Sequence, residues 1–179
     1  MKEFLKNNRW VLGVYLLLLS VALFFIFNYS KVAIHIYLNQ FVGNELLNLF
    51  FFYITYLGDG TVAIFILLVI LLYNIRLGLC ASVSFLSAAL LSNALKYFFF
   101  DDVNRPFFIF QYYETFPLTY VKGVDLHIHN SFPSGHATQA FAIFMCLVFA
   151  FKPQGLKFLF LALALFTSLS RIYLSQHWL

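Results

Sequence analysis

Three short polar clusters interrupt a chain that is otherwise strongly apolar. The first is Lys96 followed, after eight residues, by Arg105-Pro106. The second is Pro133-Ser134-Gly135-His136, and the third is Ser170-Arg171 followed, after five residues, by His177. Lys96, Arg105 and Arg171 are cations suited to a dianion, most simply a phosphate group, which a guanidinium grips through paired hydrogen bonds. Ser134 and Gly135 read as the opening of a helix, whose free backbone N–H groups and positive dipole end also favour an anion. Glycine at 135 lets the backbone approach a ligand closely. Two histidines beside a phosphate can divide the chemistry: one attacks phosphorus as the neutral imidazole, and the other, protonated, donates to the leaving oxygen. Each residue alone has an ordinary structural role open to it. Lys96 could snorkel to an interface, Arg171 could mark the end of a span, and His136 could satisfy a helix start. Gathered at one level of a membrane, they read as a site.

The elements that must hold these clusters follow from composition. Of 179 residues 63% are hydrophobic and 10% charged, against about 25% charged in an average soluble domain. A soluble domain of this size could not hide so much apolar surface. The composition also excludes a disordered chain, a collagen-like fibre and a disulfide scaffold. The apolar runs are too long and unbroken for barrel strands, so the chain reads as an all-α, polytopic helical membrane protein. Five spans are expected: Trp10 to Phe27, Leu57 to Ile75, Leu77 to Phe100, Ser134 to Phe151 and Leu156 to Leu174. Lys31 to Tyr56 is apolar but broken by polar residues, and reads as helices in or near the interface. A competing reading carries the second span back to Leu46. Gly58-Asp59-Gly60 opposes it, because it would place an acid and two helix-weakening residues at mid-membrane.

Charge sets the expected orientation. With the N-terminus inside, the cytoplasmic segments hold Lys2, Lys6, Arg9, Arg76, Lys152 and Lys157 against one acid, Glu3. That excess of bases is what the positive-inside rule places in the cytoplasm, and the acids Glu45, Asp59, Asp101, Asp102, Glu114 and Asp125 then lie outside. The protein is thus expected in the cell (inner) membrane, with its active site at the outer, periplasmic face. Lys96, Arg105 and Arg171 break the charge rule there, which a phosphate ligand would explain. The outer segment from Asp101 to Pro133 is too long for a plain connection and too aromatic for disorder.

The three clusters resemble the signature motifs of the type 2 phosphatidic acid phosphatase superfamily, which includes membrane lipid phosphatases and vanadium haloperoxidases. A soluble haloperoxidase is excluded by hydropathy. The resemblance implies that Lys96, Arg105 and Arg171 bind the phosphate oxygens with Ser134 and the Gly135 backbone. It implies that His177 is the nucleophile forming a phosphohistidine, that His136 is the general acid, and that no metal or other cofactor takes part. The implied activity is hydrolysis of a phosphoric monoester or diphosphate on a lipid: phosphatidic acid, phosphatidylglycerol phosphate, undecaprenyl diphosphate or a lipid A phosphate. Two features depart from the family pattern. Eight residues separate Lys96 from Arg105 where six are usual, and the extra Asp101 and Asp102 read as a turn beyond a helix end. The pattern also continues past His177 to an aspartate and a sixth span, whereas this sequence ends at Leu179. Residues 1–179 therefore read as a single membrane phosphatase domain lacking its last span. The chain as written is expected to bind phosphate weakly and turn over little, unless Asp59 or Asp125 orients His177.

Several other residues invite a function. Cys80 and Cys146 lie in apolar runs and read as small buried residues, not a disulfide. His127 and His129 flank Ile128 and would point the same way on an extended segment, as metal ligands could, but no third ligand lies near. Asp59 reads as a helix cap and His35 as an interfacial hydrogen-bonding group. Phe107, Phe108, Phe110, Tyr112, Tyr113 and Phe116 read as an interfacial belt or as a lid over a lipid chain. There is no nucleic-acid patch. Two rival functions remain at this level: a non-catalytic anion-binding or transport protein, which would tolerate loss of His177, and a phosphotransferase that passes phosphate to another lipid.

Overall fold

The computed structural model describes residues 2–179, and every regular element among them is helical. The order is α1 (Lys2–Asn28), α2 (Lys31–Asn39), α3 (Glu45–Ile54), a 3-10 turn (Thr55–Gly58), α4 (Gly60–Tyr73), α5 (Ile75–Phe98), α6 (Pro106–Tyr112), α7 (Gly135–Ala150) and α8 (Gln154–Tyr173). α1, α5 and α8 are each long and apolar enough to cross a membrane; α7, at 16 residues, is a shorter apolar helix. The surface carries large apolar side chains such as Leu17, Phe27, Leu72 and Leu90. That is the pattern of a bundle facing lipid, where outward Leu and Phe cost nothing.

The bundle centre is built from small residues. Ala63 on α4, Ala81 on α5, Ala140 on α7 and Ala164 on α8 are all fully buried, and Leu67, Phe85, Ile143 and Leu147 fill the space around them. Without a hydrophobic driving force between helices in lipid, close backbone packing of this kind supplies the attraction. α7 is the hub, packed most extensively on α8 and α5. α1 is peripheral. It is tied on by Val11 against Val148 and Leu161, and by Asn8 and the Asn7 carbonyl, which accept from the buried Lys157 ammonium.

The segment expected to be interfacial behaves in two ways. α2 is a separate short helix capped by Ser30, but α3 rests on α8 and joins α4 across a 64° bend. The break falls at Gly58-Asp59-Gly60, where the Asp59 carboxylate accepts from the Thr61 and Val62 N–H groups and so restarts the helix as its cap. The helix expected from Leu57 thus starts at Gly60, and α3 with the 3-10 turn and α4 forms a bent pair, apolar enough to cross a membrane only when taken together. A second correction concerns Cys80, which lies exposed on the lipid-facing side of α5; Cys146 is half-buried, and both are free thiols. The Phe–Tyr segment also divides. Residues 106–112 form α6, Phe110 is buried against His35 and Trp178, and Tyr112 and Tyr113 stay exposed.

The basic segments share one end of the bundle. Gln154 donates to the Asn7 carbonyl, Phe4 packs on Phe149, and Tyr73 stacks on Phe151. This brings the start of α1, the α4–α5 turn and the α7–α8 turn to one level. Arg171 lies near the other end of α8, some 20–25 Å away at the rise of an α-helix.

Candidate active site

The chain turns sharply after α8, and that turn aims the third cluster. Ser175 adopts a left-handed conformation (φ +55°) while 99% buried, a position a non-glycine residue holds only when its surroundings fix it. Its Oγ bonds to Nε2 of His35, which is itself buried. The turn folds Gln176 and His177 back over α8, so that both backbone N–H groups donate to the Arg171 carbonyl at 2.9 and 3.0 Å. On the opposite side Asn130 is also left-handed (φ +59°), and the Ser131 carbonyl that follows it accepts from His177 Nδ1 at 2.5 Å. A ring nitrogen facing a carbonyl must carry the proton, so Nε2 holds the lone pair. Neither Asp59, occupied as the α4 cap, nor Asp125 holds His177 in place; the Ser131 carbonyl orients the imidazole and fixes its tautomer in place of an acid.

The two arginines are buried and have neutral partners. Arg105 immediately precedes α6, with Pro106 at the first helical position, where a proline's missing N–H is harmless. Its Nε donates to the His129 carbonyl and an Nη to Gln176 Oε1, both at 2.7 Å. Gln176 in turn donates to the Asp125 carbonyl at 2.9 Å. Arg171 donates from one Nη to Thr55 Oγ1 at 2.8 Å, and its buried Nε has no partner. A buried guanidinium held only by neutral oxygens is costly unless an anion completes its shell. Lys96 lies on the last turn of α5, half-buried, near enough to Arg105 and Arg171 to feel their charge. Asp101 and Asp102 sit in an exposed turn beyond the end of α5, so the longer spacing loops out without moving Lys96 away.

α7 supplies the second cluster. Ser134 is its N-cap, with Oγ accepting from Ala137 N at 3.4 Å, and Gly135 and His136 form its first turn. The first N–H groups of a helix have no acceptor within it, and those ahead of Ala137 are oriented to receive an anion. His136 is placed by a close backbone approach. A Cβ at Gly58 would lie 2.6 Å from the His136 carbonyl oxygen, so only glycine fits there. A cavity of about 210 Å³ is bordered by Asp59, Asp125, His127, His136, Arg171 and Gln176.

Electrostatics tie the clusters together. The His177 imidazole is driven down to about 3, chiefly by burial; the Ser131 carbonyl opposes this, and Arg105, Arg171 and Lys96 add to it. His136 lies within reach of the same three cations and of Asp59. Lys96, Arg105, His136, Arg171 and His177 thus lie within electrostatic reach of one another, with Ser134 and Gly135 adjoining His136 at the start of α7; of the seven, His136 and Arg171 border the 210 Å³ cavity.

A family model described as the PAP2 superfamily matches residues 77–179. The chain belongs to the PAP2 superfamily. Membership, together with the apolar helices, makes it a membrane protein of the lipid-phosphatase kind in general. The crystal structure of Aquifex aeolicus LpxE superposes with a TM-score of 0.69 over 86% of each chain, at 22% identity, so the two share a fold. No curated protein matches.

Four further residues, which the sequence did not single out, support the candidate site: Thr55 on Arg171, Gln176 on Arg105, Ser131 on His177 and Ser175 on His35. Gln176 had one available signal, a polar residue adjoining His177; the others depend on contacts between distant segments. His127 and His129 do not act as a pair. His127 borders the cavity, whereas His129 bonds to Asn104 and packs on Phe108. No group of three metal-ligating side chains occurs among the described residues.

Proposed function

We propose that this protein hydrolyses a phosphate or diphosphate on a membrane lipid through a phosphohistidine at His177. The observation that carries the reading is the pair of buried guanidinium groups, Arg105 and Arg171, held by neutral partners beside Lys96 and the free N-terminus of α7. Such a cradle suits a phosphate dianion and the further charge that develops on its oxygens in the transition state. His177 Nε2, left with its lone pair by the bond from Nδ1 to Ser131, attacks phosphorus. The P–N bond forms as the P–O bond to the lipid breaks. His136 gives its proton to the departing oxygen. Water then attacks the phosphohistidine with His136 as base, which frees phosphate and restores both imidazoles.

The substrates that fit this chemistry are phosphatidic acid, phosphatidylglycerol phosphate, undecaprenyl diphosphate and a lipid A phosphate. The same proposal places the basic end of the bundle in the cytoplasm and the site at the outer face of the inner membrane, with five crossings, the second bent at Asp59. Phosphate release from lipid phosphates by the full-length protein tests the activity. Vanadate should inhibit it, a chelator should not, and His177→Ala should abolish it. Retention of full function by His177→Ala would favour the anion-binding rival; lipid product formed only with an acceptor present would favour phosphotransfer. For topology, an impermeant thiol reagent on intact cells should label Lys122→Cys and spare Gln154→Cys; labelling of the latter would overturn the orientation.

A further inference from the structure

A second, larger concavity lies between α5 and α7, outside the charged cradle. It is a groove of about 510 Å³ bordered by Ser92, Leu91 and Leu95 on α5, by Phe141 and Thr138 on α7, and by Pro133. Two of its lining residues are chain neighbours of residues in the charged cradle: Leu95 adjoins Lys96, and Pro133 adjoins Ser134. Its walls are mainly aliphatic and aromatic, the chemistry of a hydrocarbon chain.

One polar group in it is unaccounted for. The hydroxyls of Ser84, Ser87 and Thr138, which also border the groove, each donate to a backbone carbonyl. Ser92 is 97% buried, and its Oγ has no hydrogen-bond partner. Buried hydroxyls rarely stay unpaired, because an unmade hydrogen bond costs more than a made one gains. Ser92 stands one helical turn before Lys96 on the same face of α5, about 6 Å along the axis. In a glycerophospholipid the short run of bonds from phosphorus to the nearest ester carbonyl covers a similar length.

Resting on the lipid-phosphatase reading, we propose that this groove holds an acyl chain of the substrate and that the Ser92 hydroxyl donates to its ester carbonyl. Ser92 is then a specificity-determining residue that favours acyl-ester lipid phosphates over prenyl phosphates, which carry no carbonyl at that distance. A neutral hydrogen bond of this kind corresponds to roughly three- to tenfold in kcat/KM.

The test compares dioleoyl phosphatidic acid with its dialkyl ether analogue in matched detergent micelles, for the full-length wild type and Ser92→Ala. The wild type should prefer the ester by that factor, and Ser92→Ala should lose the preference. A merely structural role for Ser92 would alter both rates and leave their ratio unchanged, so an unchanged ratio overturns the proposal. If Ser92→Ala does not fold, the wild type decides alone, and equal rates on the two lipids overturn it. Wild-type hydrolysis of p-nitrophenyl phosphate separates the two levels. Activity there without ester preference removes the role of Ser92 and leaves the phosphatase; no phosphate release from any of the three substrates removes the phosphatase reading itself.

Discussion

Replacing Gly58 with alanine should damage catalysis without touching a group that meets the substrate. Gly58 ends the 3-10 turn ahead of Asp59 and is packed against the first turn of α7. The new Cβ would stand 2.6 Å from the His136 carbonyl oxygen and 2.8 Å from its Cβ, where ordinary contact begins at 3.4 Å. The gap must therefore open by about 0.8 Å, and the nearest obstructing atom is a backbone oxygen, which cannot swing aside. Overpacking of this sort costs roughly 1–3 kcal/mol, a drop of several degrees in thermal midpoint for a chain of this length. The displacement falls on the proposed general acid. A misplacement near 1 Å costs up to about 10²-fold in rate, so kcat should fall by roughly 10- to 100-fold, with a smaller change in KM because Arg105 is held by His129 and Gln176, away from this turn. Gly60→Ala is the control, since a Cβ there meets nothing within 4 Å. The assay is phosphate release from phosphatidic acid in detergent by the full-length protein, alongside thermal unfolding followed by circular dichroism. Wild-type kcat in a folded Gly58→Ala protein would refute the placement of His136 by the 3-10 turn, and with it the role assigned to His136.

Three further outcomes follow from the same geometry. Arg171→Met should lower kcat/KM by at least 10²-fold while leaving phosphate-free stability unchanged or higher, since it removes a buried charge without a countercharge; parallel assays and unfolding midpoints check both. The His177 imidazole, at about 3 in the fold against 6.5 when free, should stay neutral from pH 7 down to about pH 4. The unfolded chain takes up that proton below pH 6.5 and the folded chain does not, so this group's contribution to stability is complete above pH 6.5 and falls as pH drops toward 3. Histidine-selective NMR that found a midpoint near 6.5 for His177 would contradict this. Asp59→Ala should cost about 1 kcal/mol by uncapping α4, and Asp59→Asn should restore most of it; unfolding midpoints in detergent measure the difference.

Membrane residence and the helical class were legible in the sequence because both are bulk properties. No arrangement of this chain in water could cover its apolar side chains, and lipid permits few backbone solutions. The Asp59 cap was legible because capping is local: the carboxylate reaches N–H groups two and three residues on. The residue types of the three clusters were visible too, since cations and histidines are conspicuous in an apolar chain. What the sequence could not give was depth and direction. The bend between α3 and α4 depends on α3 finding a place against α8, and the outward placement of Cys80 depends on which face of α5 meets α7. The tautomer of His177 was beyond reach for the same reason. It is fixed by a carbonyl 46 positions away, brought up by two left-handed residues, Asn130 and Ser175, that no periodicity announces. Local hydrogen bonds and hydropathy are written into short stretches of chain. The convergence of Arg105, Arg171, His136 and His177 is a property of how four helices and a long connection pack, and only the tertiary structure decides it.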